Sequence, residues 1–160
     1  PLLGEVARLK AQLFEDQGRD DDARAEYERL LELPTAPRQL KARALLKLGD
    51  LMARRQQDLK GTAYYERVYV SYAKYRPEAA AAYAKRAAAL ERLGKPDEAA
   101  EVWRELAGSA ELADFPEAAQ ARTRLREIDP SWQPADSAAP APAESDLPAQ
   151  TPAATNRHPS

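Results

Sequence analysis

The residues that could do chemistry are few, and their spacing keeps them apart. His158 is the single histidine, and it stands in a Pro/Ala-rich stretch with no serine or aspartate held beside it by periodic structure. A Ser–His–Asp relay or a histidine-based metal site is therefore not expected. The absence of cysteine removes disulfides, thiolate metal ligands and a thiol nucleophile. Acidic residues do cluster, as Glu15 with Asp16 and as Asp20, Asp21 and Asp22, a pattern that general acid–base work or a divalent cation could use. Both clusters flank a turn and a helix start, where the helix macrodipole favours negative charge without any ligand. The six glycines are scattered, so no loop is built to cradle phosphate. The expectation is a protein with no catalytic residues, no cofactor and no metal, whose chemistry is recognition.

Recognition chemistry concentrates in residues 58–75, which hold Tyr64, Tyr65, Tyr69, Tyr72 and Tyr75, five of the seven tyrosines. Read as one helix, this stretch puts Tyr65, Val68, Tyr69 and Tyr72 on a single face, with Tyr64 and Tyr75 near its edge. Such a face either fills a seam between helices or offers an aromatic strip to a peptide. Seam filling is expected for Tyr65, Tyr69 and Tyr72. Tyr64 and Tyr75, at the edge, are candidates for partner contact.

A recognition surface needs a frame. The 160 residues suffice for one domain with a sizeable core. Lys and Arg total 24 against 26 Asp and Glu, and this balance of −2 lacks the basic excess of a nucleic-acid binder. The longest apolar run, residues 79–84, is far shorter than the ~20 residues of a membrane span. Helix-forming residues begin directly at Pro1, which reads as a segment of a longer chain with any leader or anchor upstream.

Apolar periodicity predicts helices in pairs. The first runs over 4–17 with Val6, Leu9, Leu13 and Phe14, and Gly18 is its left-handed cap. The second starts at Asp20 and turns Ala23, Tyr27, Leu30 and Leu31 inward, and Pro34 and Pro37 close the pair. Residues 39–55 carry Leu45, Leu48, Gly49 and Met52 on one face, and the tyrosine-rich helix then runs on until just before Pro77. The third pair covers 78–93 and a helix opened by Pro96 with Ala99, Val102, Trp103 and Leu106 inward. A loop over 108–115 leads to a last helix from Pro116 to about 129. From 130 onward Pro and Ala dominate and periodicity stops, so 130–160 reads as a disordered tail.

Shifting the sequence by 38 superimposes the pairs. Ala11, Gly49 and Ala87 share a position, as do Ala23, Gly61 and Ala99, then Phe14, Met52 and Leu90, then Tyr27, Tyr65 and Trp103, then Leu30, Val68 and Leu106. Small residues mark where two helices cross closely, and the aromatic fills the gap to the next pair. A pair cannot bury its face alone, so such pairs stack.

These columns resemble the tetratricopeptide repeat (TPR) family, which keeps a small residue in the middle of its first helix. The family also has a small residue early in the second helix, an aromatic four residues later and a proline beyond, here Pro34 and Pro77. The resemblance spans about residues 4–128 and implies an all-α, right-handed α-solenoid. Its repeats would cover about 4–37, 38–77 and 78–113, with a capping helix over 116–129, making one domain over 1–129. The period of 38 departs from the usual 34 of the family, and the large aromatic early in the first helix survives only as Tyr83. The run from Tyr64 through Leu106 is similar in style to TPR proteins of the bacterial cell envelope, the outer-membrane-assembly lipoproteins and Tol–Pal coordinators, with long second helices. That likeness implies the periplasm or envelope.

In a TPR solenoid the first helices line a concave groove. The matching positions are Glu5, Arg8 and Gln12, then Arg43, Leu46, Lys47 and Asp50, then Ala84, Lys85 and Ala88. The Lys–Asn pairs that grip a peptide carboxylate in chaperone-type repeats are missing, and Asp50 would repel one. The expected partner-binding set is Arg8, Gln12, Arg43, Lys47, Asp50, Tyr64, Tyr75 and Lys85. The function implied is a non-enzymatic scaffold for a protein or peptide. A cytosolic adaptor, or an accessory module of a larger enzyme or regulatory chain, is the alternative.

Overall fold

The computed structural model describes residues 2–134, and among them the fold is all helical, without a strand. Seven α-helices follow one another: α1 (Leu2–Asp16), α2 (Asp20–Glu32), α3 (Arg38–Arg54), α4 (Asp58–Ser71), α5 (Arg76–Arg92), α6 (Pro96–Gly108) and α7 (Pro116–Ile128). A 3₁₀ turn (Ala110–Leu112) stands before α7.

The 38-residue spacing is written into the backbone. The helices α2, α4 and α6 begin at Asp20, Asp58 and Pro96. The turns before them are made by Gly18, Gln56 and Gly94, all with left-handed φ, at 69°, 58° and 71°. Each turn carries the same two bonds. The amides of Arg19, Gln57 and Lys95 reach back to the carbonyls of Phe14, Met52 and Leu90, and those of Gly18, Gln56 and Gly94 to Glu15, Ala53 and Glu91. This is a Schellman cap, used three times to satisfy the carbonyls that a helix end leaves open. Gln56 adopts without a glycine's freedom the conformation its two counterparts adopt with it.

Each helix packs on the next in chain order, and α5 also touches α3 and α7. The core divides accordingly into three clusters. One lies among α1, α2 and α3 (Ala11, Ala23, Tyr27, Leu30, Leu48), one among α3, α4 and α5 (Leu45, Tyr65, Val68, Ala82), and one among α5, α6 and α7 (Ala87, Trp103, Leu106, Leu125). Every cluster joins one pair to the first helix of the following pair. The first helices α3 and α5 are therefore buried on two sides, and α5 does this with alanines at 79, 80, 82, 84, 87 and 89.

Three expectations need correction. In α1 the inward residues are Gly4, Ala7 and Ala11, while Val6, Leu9 and Leu13 face solvent. The side of α1 against its neighbours is the small one, because close helix crossings exclude leucine: a Cβ on Gly4 would stand 3.2 Å from Ala36 Cβ. The tyrosine-rich helix stops at Ser71, so Tyr72 and Tyr75 lie in the connection and not on the α4 face. There the Tyr72 amide still bonds the Val68 carbonyl and the Tyr75 amide turns back to Tyr72, which lets Pro77 enter the first turn of α5. The second helices are the short ones, with 13, 14 and 13 residues against 15, 17 and 17 in the first, so the extra repeat length lies in α3 and α5. The tail expectation falls almost wholly outside the described residues, as does His158.

Candidate functional site

Arg8 and Gln12 on α1 and Arg43 and Lys47 on α3 come together along one cleft of about 400 Å³. Its remaining lining is Glu5, Tyr27, Leu30, Leu40 and Ala44. Long polar side chains of α1 and α3 frame the cleft, and Leu30, Leu40 and Ala44 line it between them. Its cations are held by acids. Arg8 Nε donates to Glu5 at 2.8 Å, Lys47 Nζ lies 3.5 Å from Glu15, and Arg43 Nε donates to Glu78 at 2.7 Å. Glu78, on the first turn of α5, is buried and also accepts from Gln39 Nε2 at 3.1 Å. The Arg43 side chain stays 59% exposed while paired, so the rim is both fixed and open to solvent.

Asp50 and Lys85 lie outside that cleft and pair with each other between α3 and α5. The ring column of the repeat donates to an acid three times: Tyr27 Oη to Glu15 at 2.6 Å, Tyr65 Oη to Asp50 at 2.8 Å, and Trp103 Nε1 to Glu91 at 3.0 Å. Each acid also takes a cation from the next first helix. Glu15 takes Arg54 at 3.3 Å as well as Lys47, Asp50 takes Lys85 at 2.6 Å, and Glu91 takes Arg124 at 2.9 Å. This aromatic–acid–cation clamp ties each pair to the one after it. Glu91 feels its burial, which pushes its carboxyl up, but the bonds from Arg124 and Trp103 and the Arg124 charge hold it below the usual glutamate range. Tyr27 and Tyr65 are pushed up by burial and by the acids they bond.

The middle repeat departs from the pattern in one respect. Position 53 is alanine where its counterparts are Glu15 and Glu91, so Tyr65 bonds Asp50 instead, nearly one turn nearer the helix start. The ring then lies over residue 49. A Cβ on Gly49 would fall inside it, 2.7 Å from both Cδ1 and Cζ, whereas Ala11 and Ala87 fit at the same column.

The tyrosines divide. Tyr65 and Tyr69 are buried, and Tyr69 stacks on Tyr83 with centroids 3.8 Å apart and planes 12° apart. Arg86 donates to the Tyr69 hydroxyl at 2.6 Å. Burial, only partly offset by Arg86, pushes Tyr69 up to about 12. Tyr64 lines a shallow depression with Glu28, Leu31, Glu32 and Arg67, all on second helices and apart from the cleft. Tyr75 packs near Tyr72 in the connection, with the Lys74 ammonium 5.1 Å from its ring and Arg38 5.0 Å from that of Tyr72.

Sequence reasoning read Glu15 only as a turn charge and missed Glu78 and Glu91, of which Glu78 is buried and Glu91, like Glu15, half-buried. The signal for two of them was present, since Glu15 and Glu91 stand 76 residues apart, two periods of the repeat, and each precedes its aromatic by 12. Among the described residues no cluster of His, Asp or Glu could hold a metal ion, and no helix is long and apolar enough to cross a membrane. No protein-family model matches the chain, and no curated protein matches it.

Proposed function

We propose that this protein is a TPR-like right-handed solenoid that acts without catalysis, holding a peptide or protein segment in the cleft between α1 and α3. The observation that carries this reading is the cleft itself, with a cationic rim of Arg8, Arg43 and Lys47 over an apolar floor of Leu30, Leu40 and Ala44. A rigid surface of this kind gains affinity from a desolvated anchor and orientation from rim charges. The fitting partner is a segment with one apolar side chain beside an acidic one. The acid would compete with Glu5 and Glu78 for the arginines. The likeness in style to envelope TPR proteins supports a place in the bacterial cell envelope.

Selection from a displayed peptide library against the wild type, repeated with Arg8→Glu/Arg43→Glu, tests the cleft. Enriched peptides should carry acids and lose at least tenfold in affinity for the double variant, whose melting temperature serves as the folding control. Peptides that bind both proteins equally would remove the cleft from the function. A crystal structure in which successive pairs rotate by a constant right-handed angle would support the solenoid. Fractionation of the native cells, with the protein in the cytoplasmic fraction, would overturn the envelope placement.

A further inference from the structure

The outer face of α1 is apolar and open. Leu2, Val6, Leu9 and Leu13 form one stripe at 4-3-4 spacing and are 76%, 40%, 55% and 54% exposed. The repeat register says what such a stripe is for. The residues 38 positions after Leu2, Val6 and Leu13 are Leu40, Ala44 and Leu51, and all three are buried among Tyr27, Leu30 and Ala11 of the pair before them. One period further, Ala82 and Ala89 are buried among Tyr65 and Val68 of their own preceding pair. The face that receives a preceding pair in α3 and α5 is the face left uncovered in α1.

We infer that the outer face of α1 is the docking face for one more helix pair, stacked on α1 as the α1–α2 pair stacks on α3. The connections between pairs are short, with α2 ending at Glu32 and α3 starting at Arg38, so the incoming second helix ends a few residues before Leu2 in the same polypeptide. A second copy of this chain cannot play that part head to tail. The downstream faces of α2 and α4 are already filled, and α7 closes the far end with Gln120, Thr123, Arg126 and Glu127 exposed. Two substitutions in the register define the incoming pair further. Leu9 stands where α3 and α5 carry the clamp cations Lys47 and Lys85. Asp16 stands where they carry Arg54 and Arg92, which pair with Asp20 and Asp58 at the start of the preceding second helix. The docked pair is therefore apolar opposite Leu9 and basic opposite Asp16.

The test extends the chain at its N-terminus with a second copy of residues 2–39, so that Gln39 runs into Leu2 as it naturally runs into Leu40. The added copy carries Glu15→Leu to meet Leu9 and Asp20→Arg to meet Asp16, and Leu13→Cys in the original α1 supplies the only thiol, since the chain has no cysteine. The extension should slow maleimide labelling of that thiol at least a hundredfold and raise the melting temperature. An added copy that keeps Asp20 should protect less. Equal labelling with and without the extension overturns the inference, and so does an extension that stays unfolded, because the same residues, apart from the two fitted to α1, fold on α3 within the chain. Concentration-dependent dimers of the unextended chain that already protect the thiol would assign the face to a second copy instead.

Discussion

Tyr65 illustrates how one displaced acid constrains its neighbours. Because its hydroxyl bonds Asp50, its ring lies over residue 49, and only the absence of a side chain there makes room. Gly49→Ala should cost about 1–3 kcal/mol by overpacking, read as a lower midpoint in chemical denaturation. The conservative Ala at the same column in the other repeats makes this cost specific to the Tyr65 geometry. Gln56 is the opposite case, a side chain where glycine is favoured, with φ at 58°. Gln56→Gly should stabilise the fold by roughly 0.5–1 kcal/mol through relief of left-handed strain, visible as a higher melting temperature. The buried phenols set an alkaline limit. Tyr27, Tyr65 and Tyr69 all ionise above the ordinary value of 10 because burial disfavours the phenolate. A proton held more tightly by the folded state gives stability that is whole below pH 10 and is lost as pH rises through 10 towards 12. Melting followed from pH 9 to 12 should show that decline, and Tyr69→Phe should flatten it.

At the level of helices, the seam between α4 and α5 rests on the Tyr69–Tyr83 stack. A double-mutant cycle through Tyr69→Leu and Tyr83→Leu should return a coupling of about 0.5–1.5 kcal/mol beyond the area each ring buries. An additive cycle would make the stack incidental. The helices themselves were largely legible, because small, apolar and aromatic columns at a fixed spacing encode the crossings directly. Ala11, Ala23, Tyr27 and Trp103 are all buried where the columns put them. Two features were not legible. The end of α4 depends on how the Tyr72–Tyr75 connection delivers Pro77 to α5, and that balance of local bonds leaves no periodic trace. The face of α1 was misread because amphipathic reasoning assigns the large apolar side inward, whereas in a stacked pair the intimate crossing is made by Gly4, Ala7 and Ala11. In the candidate site, Arg8, Gln12, Arg43 and Lys47 share the cleft. Asp50 and Lys85 are engaged in the clamp, a pairing that depends on which residue stands at position 53.

At the scale of the molecule, the main contacts among the described residues run from each helix to the next and from α5 to α3 and α7, and none of these joins the first pair to the last helices. Stability in such an array is a sum of units and junctions, and the clamps at Glu15, Asp50 and Glu91 are the polar share of those junctions. The consequence is mechanical. Pulled by its ends, the described part of the molecule shares load chiefly between adjoining pairs, so tension should peel the pairs away singly, beginning at an end. Each event would release 38 residues, the repeat spacing read from Asp20 to Asp58 to Pro96, or roughly 12 nm of new contour length at about 3.4 Å per residue less the thickness of a pair. Optical tweezers should record evenly sized extensions at low force, and a single abrupt rip would mean that the junctions are stiffer than the pairs they join.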